Sequence, residues 1–471
     1  MKNKVFENFK NITKVPRGSG NTVKIADYCV DFAKRNNLEF LRDAKDNVII
    51  FKDGAFGGKN KKPIILQGHT DMVCQQTADC NHDFTKEGPH IIVDGDYIKA
   101  DKTTLGADNG IALALIMAIL ESDDISHPPI EAVFTSDEEI GMLGASALDM
   151  SSLKSKRMIN LDSEEDDTVT VSCAGGSDFL VKLPIEFDAY SGKAYNISFK
   201  GLKGGHSGVE IDKGRVNANV LAGRFLNHFA PLVDYRLCEI NGGDKSNAIT
   251  LECSFKLVTN DKNFKAKAEE YLKEIKSEIS AREPDFAFEI KEIGETQTAF
   301  SKSLTDKIVF LLVNAPSGII DMSAEIKGLV ETSLNLGILK TEKDSIIFDF
   351  SFRSNKLTAM KFLEERLSSL ANSVNAKTET IGFYPPWEYM SGSDLEKTYC
   401  ECYERQFGKN PKISAIHAGL ECGVFASKIE GLTAISVGPQ MFDVHTVNER
   451  LSISSTEKFV ELIKDVLANI G

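Results

Sequence analysis

The stretch that decides the fold of this chain is IEAVFTSDEE, residues 130–139. Its first six residues are mostly apolar or β-branched, which predicts a buried strand, and acidic residues follow where that strand ends. Adjacent side chains leave an extended chain on opposite sides, so Glu138 and Glu139 are expected to do different work. Two neighbouring carboxylates repel each other unless a cation lies beside them. The pair therefore predicts that one carboxylate binds a metal ion while the other moves protons.

Similar short apolar runs occur elsewhere, and helical patterns alternate with them. The runs are 63–66, 158–161 and 432–437, and the helical patterns include 110–121 and 454–470. Strands that alternate with helices predict an α/β fold in which helices flank a mostly parallel sheet. Such sheets carry their polar sites where the strands end.

The middle of the chain has a different pattern. From about residue 191 the strands become longer and alternate between apolar and polar residues, and long amphipathic helices follow at 261–282 and 357–373. These features predict an inserted α+β domain over residues 187–381. The insertion would split the first domain into residues 1–186 and 382–471.

Composition and charge exclude several classes of protein. The 471 residues include 55 Lys plus Arg and 69 Asp plus Glu, and the formal charge of −14 argues against a nucleic-acid or anionic-membrane partner. Residues 1–7 lack the apolar stretch of a signal peptide, and no later segment has the length of a membrane span. The nine cysteines are scattered without CxxC spacing. We therefore expect reduced thiols and a cytoplasmic location.

A histidine and an aspartate follow the run 63–66. His69 and Asp71 are two residues apart, so in an extended chain their side chains share one side. A carboxylate commonly orients a histidine that binds metal, which predicts His69 as a ligand and Asp71 as its orienting acid. Taken alone, the pair is also explained by a strand-end histidine and a turn aspartate.

Two further acids occupy comparable positions. Asp108 stands directly before an apolar helix, where it could cap the helix or use its two oxygens to bridge two ions. Asp162 follows the run 158–161, where a solvated acid is the simpler interpretation. Because these two acids recur at one predicted sheet edge with His69 and Glu139, four residues in all, a shared site is the better explanation.

His445 follows the run 432–437 and would return to the same edge. Two histidines and three acids are too many for one structural zinc ion and too rich in nitrogen for calcium, whereas two first-row ions that share Asp108 fit. One arrangement pairs His69 with Glu139 and Asp162 with His445, and the sequence leaves this pairing open. Glu138 would remain outside the ligands as a general base.

At this point the chain resembles the M20 family of metallopeptidases. Within that family it is similar to the branch of Xaa-His dipeptidases, also described as aminoacyl-histidine or cytosol non-specific dipeptidases. The resemblance covers nearly the whole chain and rests on six ordered motifs: GHTDMV (68–73), GADNG (106–110), SDEEIGMLGA (136–145), NLDSEE (160–165), HAGLECG (417–423) and GPQMFDVHTVNE (438–449).

The resemblance implies a discontinuous catalytic domain, residues 1–186 and 382–471, interrupted by a lid domain at 187–381. It implies two divalent ions, Zn²⁺ with Co²⁺ or Mn²⁺ as alternatives. Glu138 would be the general base toward a metal-bridged hydroxide, and Asp71 would orient a ligand. The implied metal ligands are His69, Asp108, Glu139, Asp162 and His445.

The resemblance also assigns residues on the substrate side. His206, between glycines in GGHSG (204–208), would help to hold the developing oxyanion, although such a histidine taken alone is a loop residue. Asn247 and Arg353 would contact the terminal carboxylate of the substrate, a task that suits the planar guanidinium. Gly419 and Glu421 are further candidates, although a helix-start glycine and an exposed acid explain them nearly as well. We expect the remaining histidines to be surface or packing residues: His82, His90, His127 and His228.

The predicted function is therefore a metal-dependent dipeptidase that hydrolyses short unblocked peptides, including Xaa-His dipeptides. One alternative is a related amidohydrolase that acts on N-acyl amino acids. Another is a module that binds metal or peptide without catalysis, since a fold alone does not establish activity. The preferred side chains stay open, as does a homodimer, because family members differ in whether lid residues act within one chain or across two.

Overall fold

The computed structural model describes all 471 residues, which divide into two compact units. Unit 1 comprises Met1–Cys173, Trp387–Ala415 and Leu420–Gly471. Unit 2 comprises Ala174–Pro386 and Ile416–Gly419. The chain thus leaves unit 1 after residue 173 and returns to it at residue 387.

Eleven α-helices occur along the chain. They are α1 (Lys2–Ile12), α2 (Val23–Arg35), α3 (Ala107–Leu120), α4 (Leu143–Ala147), α5 (Ala218–Phe229), α6 (Phe264–Ile279), α7 (Lys302–Asn314), α8 (Leu357–Ser373), α9 (Asp394–Phe407), α10 (Glu421–Lys428) and α11 (Ile453–Asn469). None of them combines the length and the apolarity that crossing a bilayer requires.

The strands account for most of the remaining regular structure. They are β1 (Glu39–Arg42), β2 (Val48–Lys52), β3 (Ile64–His69), β4 (Ile91–Asp94), β5 (Tyr97–Ala100), β6 (Ile130–Thr135), β7 (Arg157–Asn160), β8 (Thr168–Cys173), β9 (Gly175–Pro184), β10 (Phe187–Lys200), β11 (Gly205–His206), β12 (Tyr235–Gly242), β13 (Ala248–Ile249), β14 (Cys253–Thr259), β15 (Ala287–Phe300), β16 (Gly318–Met322), β17 (Val330–Thr341), β18 (Ser345–Ser354), β19 (Lys377–Tyr384), β20 (Lys412–Ile416), β21 (Thr433–Ser436), β22 (Met441–Phe442) and β23 (Arg450–Ser452).

The main sheet of unit 1 has the strand order β1-β2-β6-β3-β7-β21-β8-β20. Its four central strands, β6, β3, β7 and β21, are parallel to one another, whereas β2 and β8 join them in antiparallel pairs. The predicted α/β fold with flanking helices is confirmed. Parallel pairing is limited to the centre because β1 and β2 form an antiparallel hairpin at one edge, so the sheet is mixed.

Helix α3 is apolar and buried, and it fixes the position of the polar Asp108 in its first turn. All of its residues except Asp108 are buried, so the helix has no exposed face and must be covered on every side. It packs against α1 and β3. Because α3 cannot rotate without exposing apolar surface, its first turn and Asp108 are held beside the end of β3.

A smaller antiparallel sheet of unit 1 has the order β22-β23-β5-β4. In it Arg450 pairs with Lys99 and Leu451 with Ile98. This pairing brings the residue that precedes β23, Glu449, to the loop that follows β5.

Unit 2 contains a nine-stranded sheet of order β15-β10-β14-β12-β17-β18-β9-β19, with β16 paired to β17. Its strands pair in antiparallel fashion, and one face is buried in an aromatic cluster that includes Phe199, Phe225 and Phe255. The sequence placed the start of the inserted domain at residue 187. In the structure β9 already belongs to unit 2, because it pairs with β18 and β19.

Candidate metal centre

Three parallel strands bring their carboxyl ends to one edge of the unit 1 sheet. His69 ends β3 beside Thr135 at the end of β6, and Gln67 stands beside Asn160 at the end of β7. Glu139 follows the end of β6 and Asp162 the end of β7, whereas Asp108 lies at the start of α3. The sheet register therefore collects side chains that are far apart in sequence, as expected for parallel strands.

Asp108 lies between two histidines. Its Oδ1 is 3.1 Å from Nε2 of His69, and its Oδ2 is 3.1 Å from Nε2 of His445. Each oxygen therefore faces a different imidazole. This arrangement suits a carboxylate that bridges two ions.

The remaining acids divide between these two histidines. Asp162 Oδ1 is 3.4 Å from Nε2 of His69, and Glu139 Oε1 is 3.0 Å from Nε2 of His445. One group is thus His69, Asp108 and Asp162, and the other is Asp108, Glu139 and His445, with donor atoms within 4.8 Å of one another in each. A third group, His69, Glu138 and Glu139, meets the same distance limit, so the pairing considered from the sequence, His69 with Glu139 and Asp162 with His445, stays a prediction beside this grouping.

Asp71 is fully buried and contacts the other side of the His69 ring. Its backbone oxygen is 3.1 Å from Nδ1, and Oδ1 is 3.5 Å from the same nitrogen. Because both groups only accept hydrogen bonds, Nδ1 carries a proton, and Nε2 is the nitrogen that faces Asp108 and Asp162. Burial opposes ionisation of Asp71, but hydrogen bonds from His69, the backbone of Glu138 and Ser19 outweigh it and keep the pKa of Asp71 low.

The same carboxylate positions the two adjacent glutamates. Oδ1 of Asp71 accepts the backbone N–H of Glu138 at 3.0 Å, and Oδ2 accepts that of Glu139 at 3.3 Å. Asp137 precedes them with a φ of 51°, in the left-handed region that aspartate tolerates better than most residues. The chain therefore turns sharply after β6, and the two glutamates diverge.

Glu138 differs from Glu139 in its surroundings. Burial, with further contributions from Asp162 and Glu421, raises the pKa of Glu138 well above its ordinary value against the attraction of His69. A carboxylate with a raised pKa is a better proton acceptor than an exposed one. Glu139 instead faces His445, with its side chain 7% exposed.

Glu449 holds the loop that carries Asp108. Its Oε2 accepts the backbone N–H groups of Leu105 and Gly106 at 2.7 and 2.9 Å, and its Oε1 accepts those of Ala107 and Asp108 at 2.8 and 3.3 Å. One buried carboxylate thus satisfies four N–H groups that the start of α3 cannot pair internally.

Asn109 fixes the side chain of Asp162, another of the predicted ligands. Its Nδ2 donates to Oδ1 of Asp162 at 2.7 Å and to the carbonyl of Leu161 at 2.9 Å. Asn109 is fully buried, so these contacts are shielded from solvent. The first turn of α3 therefore carries Asp108 and also orients Asp162.

The chemistry of these donors fits divalent ions. Two imidazole nitrogens converge with three carboxylates, and the acidic surroundings favour positive charge. Hydrogen bonding to Asp108, then to Glu139, raises the pKa of His445 to about 11. Nitrogen and oxygen donors in this proportion suit first-row ions better than calcium or magnesium.

Glu421, a predicted substrate contact, is not the exposed acid that was the alternative explanation for it. It is fully buried at the start of α10 and accepts hydrogen bonds from Nε2 of Gln67 at 2.5 Å and Oγ1 of Thr135 at 2.7 Å. Gln67 in turn accepts a hydrogen bond from Asn160 at 2.5 Å. Glu421 therefore links the ends of three central strands beneath His69 rather than lying on an open surface.

The other substrate-side candidates belong to unit 2. Nδ1 of His206 accepts the backbone N–H groups of Gly208 and Val209, each at 3.1 Å. Burial and the nearby Arg353 lower the pKa of His206, so the neutral ring carries its proton on Nε2. His206 is thus prepared to donate a hydrogen bond from Nε2.

Asn247 and Arg353 line the same cavity of unit 2, which has a volume of about 480 Å³. Nη1 of Arg353 donates to Oη of Tyr384 at 2.5 Å. Gly419 is half-buried and lies two residues after His417, which contacts Oγ of Ser333 at 2.7 Å. The structure therefore brings Asn247 and Arg353 to one cavity.

Sequence reasoning missed several residues that support the centre. Arg17 is buried and donates from Nη1 to the carbonyls of Thr70 and Asp71 at 3.0 Å, and from Nη2 to that of Gly106. No local pattern marks this arginine. Asn109 and Glu449, by contrast, lie inside motifs that the sequence had singled out.

The profile of peptidase family M20/M25/M40 matches residues 65–469. The cytosol non-specific dipeptidase of Escherichia coli (strain K12) is 36% identical over 471 residues, which cover 99% of this chain and 97% of that protein. A succinyl-diaminopimelate desuccinylase of Helicobacter hepaticus matches over a shorter region, 26% identical over 161 residues, which cover 33% of this chain and 38% of that protein.

Solved structures show the same relationship. The aminoacylhistidine dipeptidase of Vibrio alginolyticus matches with a TM-score of 0.93 and 36% identity, over 99% of this chain and 96% of that chain. A tripeptidase of Staphylococcus aureus matches with a TM-score of 0.57 and 15% identity, over 100% and 98% of the two chains, and this likeness concerns the fold alone.

Proposed function

The chain belongs to peptidase family M20/M25/M40, and from this premise we propose that it is a metal-dependent dipeptidase that hydrolyses short unblocked peptides. The observation that carries the proposal is the position of Asp108, whose two oxygens face His69 and His445 at equal distances of 3.1 Å. Glu138 stands beside this arrangement without belonging to either group around Asp108. In this proposal the ligands and the proton acceptor are separate side chains.

Five side chains would hold two divalent ions. Asp108 would contact both, with His69 and Asp162 on one and Glu139 and His445 on the other. We propose Zn²⁺ as the resident metal because mixed imidazole and carboxylate donors suit it, with Co²⁺ or Mn²⁺ as replacements. When bound, a pair of such ions lowers the pKa of a water between them and polarises the carbonyl of the substrate.

Proton transfer belongs to Glu138. One of its carboxylate oxygens would accept the proton of the attacking water and then deliver it to the nitrogen that leaves when the C–N bond breaks. Its raised pKa suits both steps, since the carboxylate must accept a proton and release it within one cycle. Asp71 would keep Glu138 in place through its backbone N–H and His69 through Nδ1.

Substrate recognition would come from unit 2. His206 has its Nε2–H available for the oxyanion that forms at the scissile carbonyl, and Arg353 with Asn247 would bind the terminal carboxylate of the peptide. Gly419 would allow the backbone to approach the substrate closely. In this proposal unit 2 acts as a lid whose closure excludes water from the reacting groups.

The proposed substrates include Xaa-His dipeptides. A relative with 36% identity over 99% of this chain is an aminoacylhistidine dipeptidase. The proposal further includes a cytoplasmic location, and a homodimer is the proposed assembly if lid residues act across two chains.

A panel of free and N-acetylated dipeptides tests the activity. Metal-depleted protein is reconstituted with Zn²⁺, Co²⁺ or Mn²⁺, and the release of free amino acids is measured. We expect hydrolysis of the free dipeptides that depends on added metal, with little hydrolysis of their N-acetylated forms. Preference for the acetylated forms would instead support an amidohydrolase of N-acyl amino acids.

The same panel addresses the alternative of a binding module without catalysis. Such a protein would bind the ions and a dipeptide, but it would release no amino acid with any of the three metals. Isothermal titration of metal-loaded protein with each dipeptide measures binding separately from turnover. Binding without turnover across the panel would refute the proposed dipeptidase.

A further inference from the structure

The segment between β3 and β4 contains a second group of side chains with metal-binding donors. His82, Glu87 and His90 each place one donor atom within 4.8 Å of the other two. None of the three takes part in the candidate metal centre, and the sequence had suggested only surface or packing roles for both histidines. Two imidazoles and a carboxylate match the donors of many zinc sites.

The surroundings of His82 provide the strongest evidence that this group binds a cation. Its side chain is only 3% exposed, and its Nε2 lies 3.2 Å from the carbonyl oxygen of Glu87. Because a carbonyl oxygen only accepts, Nε2 carries the proton in the neutral ring, and Nδ1 presents a lone pair. Nδ1 faces Oε1 of Glu87 at 3.7 Å, a distance too long for a hydrogen bond. Nδ1 of the nearly buried His82 thus faces an acceptor oxygen of the exposed Glu87, and a cation between them would satisfy both.

The rings are held in this arrangement without assistance from a ligand. The His82 ring packs edge to face on Phe84 at 4.5 Å between centroids, and it meets the His90 ring at 5.8 Å with an angle of 84°. The backbone N–H of His82 donates to Oε1 of Gln76 at 2.9 Å, and the carbonyl of His90 accepts the N–H of Asp101 at 2.9 Å. Both ends of the segment are therefore fixed, which reduces the entropy that a bound ion would have to remove.

We propose that His82, Glu87 and His90 form an accessory site for one divalent cation of the Zn²⁺ class. Nδ1 of His82, a carboxylate oxygen of Glu87 and one ring nitrogen of His90 are the protein ligands, and water completes the coordination. Glu87 and His90 are exposed, so the ion enters directly from solvent. The bound ion would tie residues 82–90 together, and its role is to stabilise this segment rather than to react.

Zinc stoichiometry tests the site. Metal-depleted wild-type protein and the variants His90→Gln and Glu87→Gln are titrated with Zn²⁺ by isothermal titration calorimetry, and bound zinc is measured after desalting. We expect wild type to bind one more Zn²⁺ per chain than either variant. Because the result is a difference between variants, it does not depend on how many ions the candidate metal centre binds or on whether the chain is a dipeptidase.

His228→Gln is the matched control, because His228 stacks on Tyr271 in unit 2 and should keep the wild-type stoichiometry. Equal stoichiometry in wild type and both variants overturns the proposal, and so does an equal loss in His228→Gln.

Limited trypsin digestion gives an independent readout. The Lys86 side chain is 80% exposed and lies between the proposed ligands. We expect added Zn²⁺ to slow cleavage after Lys86 in wild type and to have no such effect in His90→Gln. Protection by zinc of the same size in both proteins would refute the site.

Discussion

Oδ1 of Asp71 lies 3.5 Å from Nδ1 of His69, on the side of the ring away from Asp108. This carboxylate also accepts the backbone N–H groups of Glu138 and Glu139. A single fully buried side chain therefore orients a proposed ligand and fixes the turn that carries the proposed base. Disturbing it should affect metal binding and turnover together.

Asp71→Asn is expected to weaken metal binding by about 10- to 100-fold, the usual effect of removing a carboxylate that supports a ligating histidine. The amide cannot stabilise the imidazole by charge. Competition with a chromophoric chelator measures the affinity. Ser19→Ala is the control, because Ser19 only donates to Oδ2 at 2.8 Å and its loss leaves the carboxylate charged. Equal affinities in Asp71→Asn and wild type would contradict the orienting role.

Substitutions of the neighbouring Glu138 and Glu139 should have different effects on metal binding and turnover. Glu138→Ala is expected to retain both ions and to lower kcat by at least about 100-fold, since it removes the proposed proton acceptor. Glu139→Ala should lose metal affinity, since Glu139 is a proposed ligand. Metal content after dialysis and turnover of a free dipeptide are measured on both variants. Substantial turnover in Glu138→Ala would rule out its assignment as the base.

Glu449→Gln tests the support of the Asp108 loop. The amide retains one oxygen for two of the four N–H groups and directs its own donor at the others, so we expect a loss of about 2 kcal/mol in the free energy of unfolding. Urea denaturation measures the change, and metal affinity should fall with it. Glu430→Gln, an exposed glutamate of unit 1, is the control. If both variants unfold at the same urea concentration as wild type, Glu449 does not support the loop.

Local sequence patterns were sufficient to predict a site residue that stands at the end of a strand or shortly after it. The predicted strand 130–135 is β6 residue for residue, and the family inferred from the motifs is confirmed. His69, Glu139 and Asp162 could be predicted at one edge because parallel strands end there. These inferences need only the residues within one strand and the rule for its sheet.

Other features depend on contacts between distant residues. The hydrogen bonds from the 105–108 loop to Glu449 span 341 or more positions, and no pattern near Arg17 predicts that it donates to the carbonyls of Thr70 and Gly106. The grouping of ligands around Asp108 depends on side-chain direction. Glu421 was predicted as a substrate contact, with an exposed acid as the alternative, whereas its side chain at the start of α10 is fully buried.

The buried Glu421 predicts a pH dependence of stability. Burial, reinforced by Asp162 and Asp71, raises the pKa of Glu421 to about 8, whereas glutamate in an unfolded chain ionises near about 4.3. Between these values the folded state holds a proton that the unfolded state has lost. The stabilisation from this carboxyl is therefore complete below about pH 4 and is lost as the pH rises through about 8.

Glu421→Gln should flatten this dependence. In metal-free protein we expect the free energy of unfolding to fall from about pH 5 to about pH 8 more steeply in wild type than in the variant. The amide keeps an oxygen for Gln67 and Thr135 but has no proton to lose. Urea denaturation across this range measures both slopes, and metal-free protein is used because a bound ion would change the local field. If the free energy of unfolding has the same pH dependence in both proteins, Glu421 does not lose a proton in this range.

Arg353→Lys tests recognition of the substrate carboxylate. Lysine keeps the charge but loses the planar pair of donors, so selectivity for a free over an amidated C-terminus should fall by about tenfold or more. The ratio of kcat/KM for a dipeptide and its amide measures this selectivity. Arg224→Lys is the matched control, because Arg224 forms a solvent-exposed pair with Glu278 at 2.7 Å elsewhere in unit 2. The proposed role requires the ratio to fall in Arg353→Lys alone, mainly through KM of the free dipeptide, and an unchanged ratio would assign carboxylate binding to another residue.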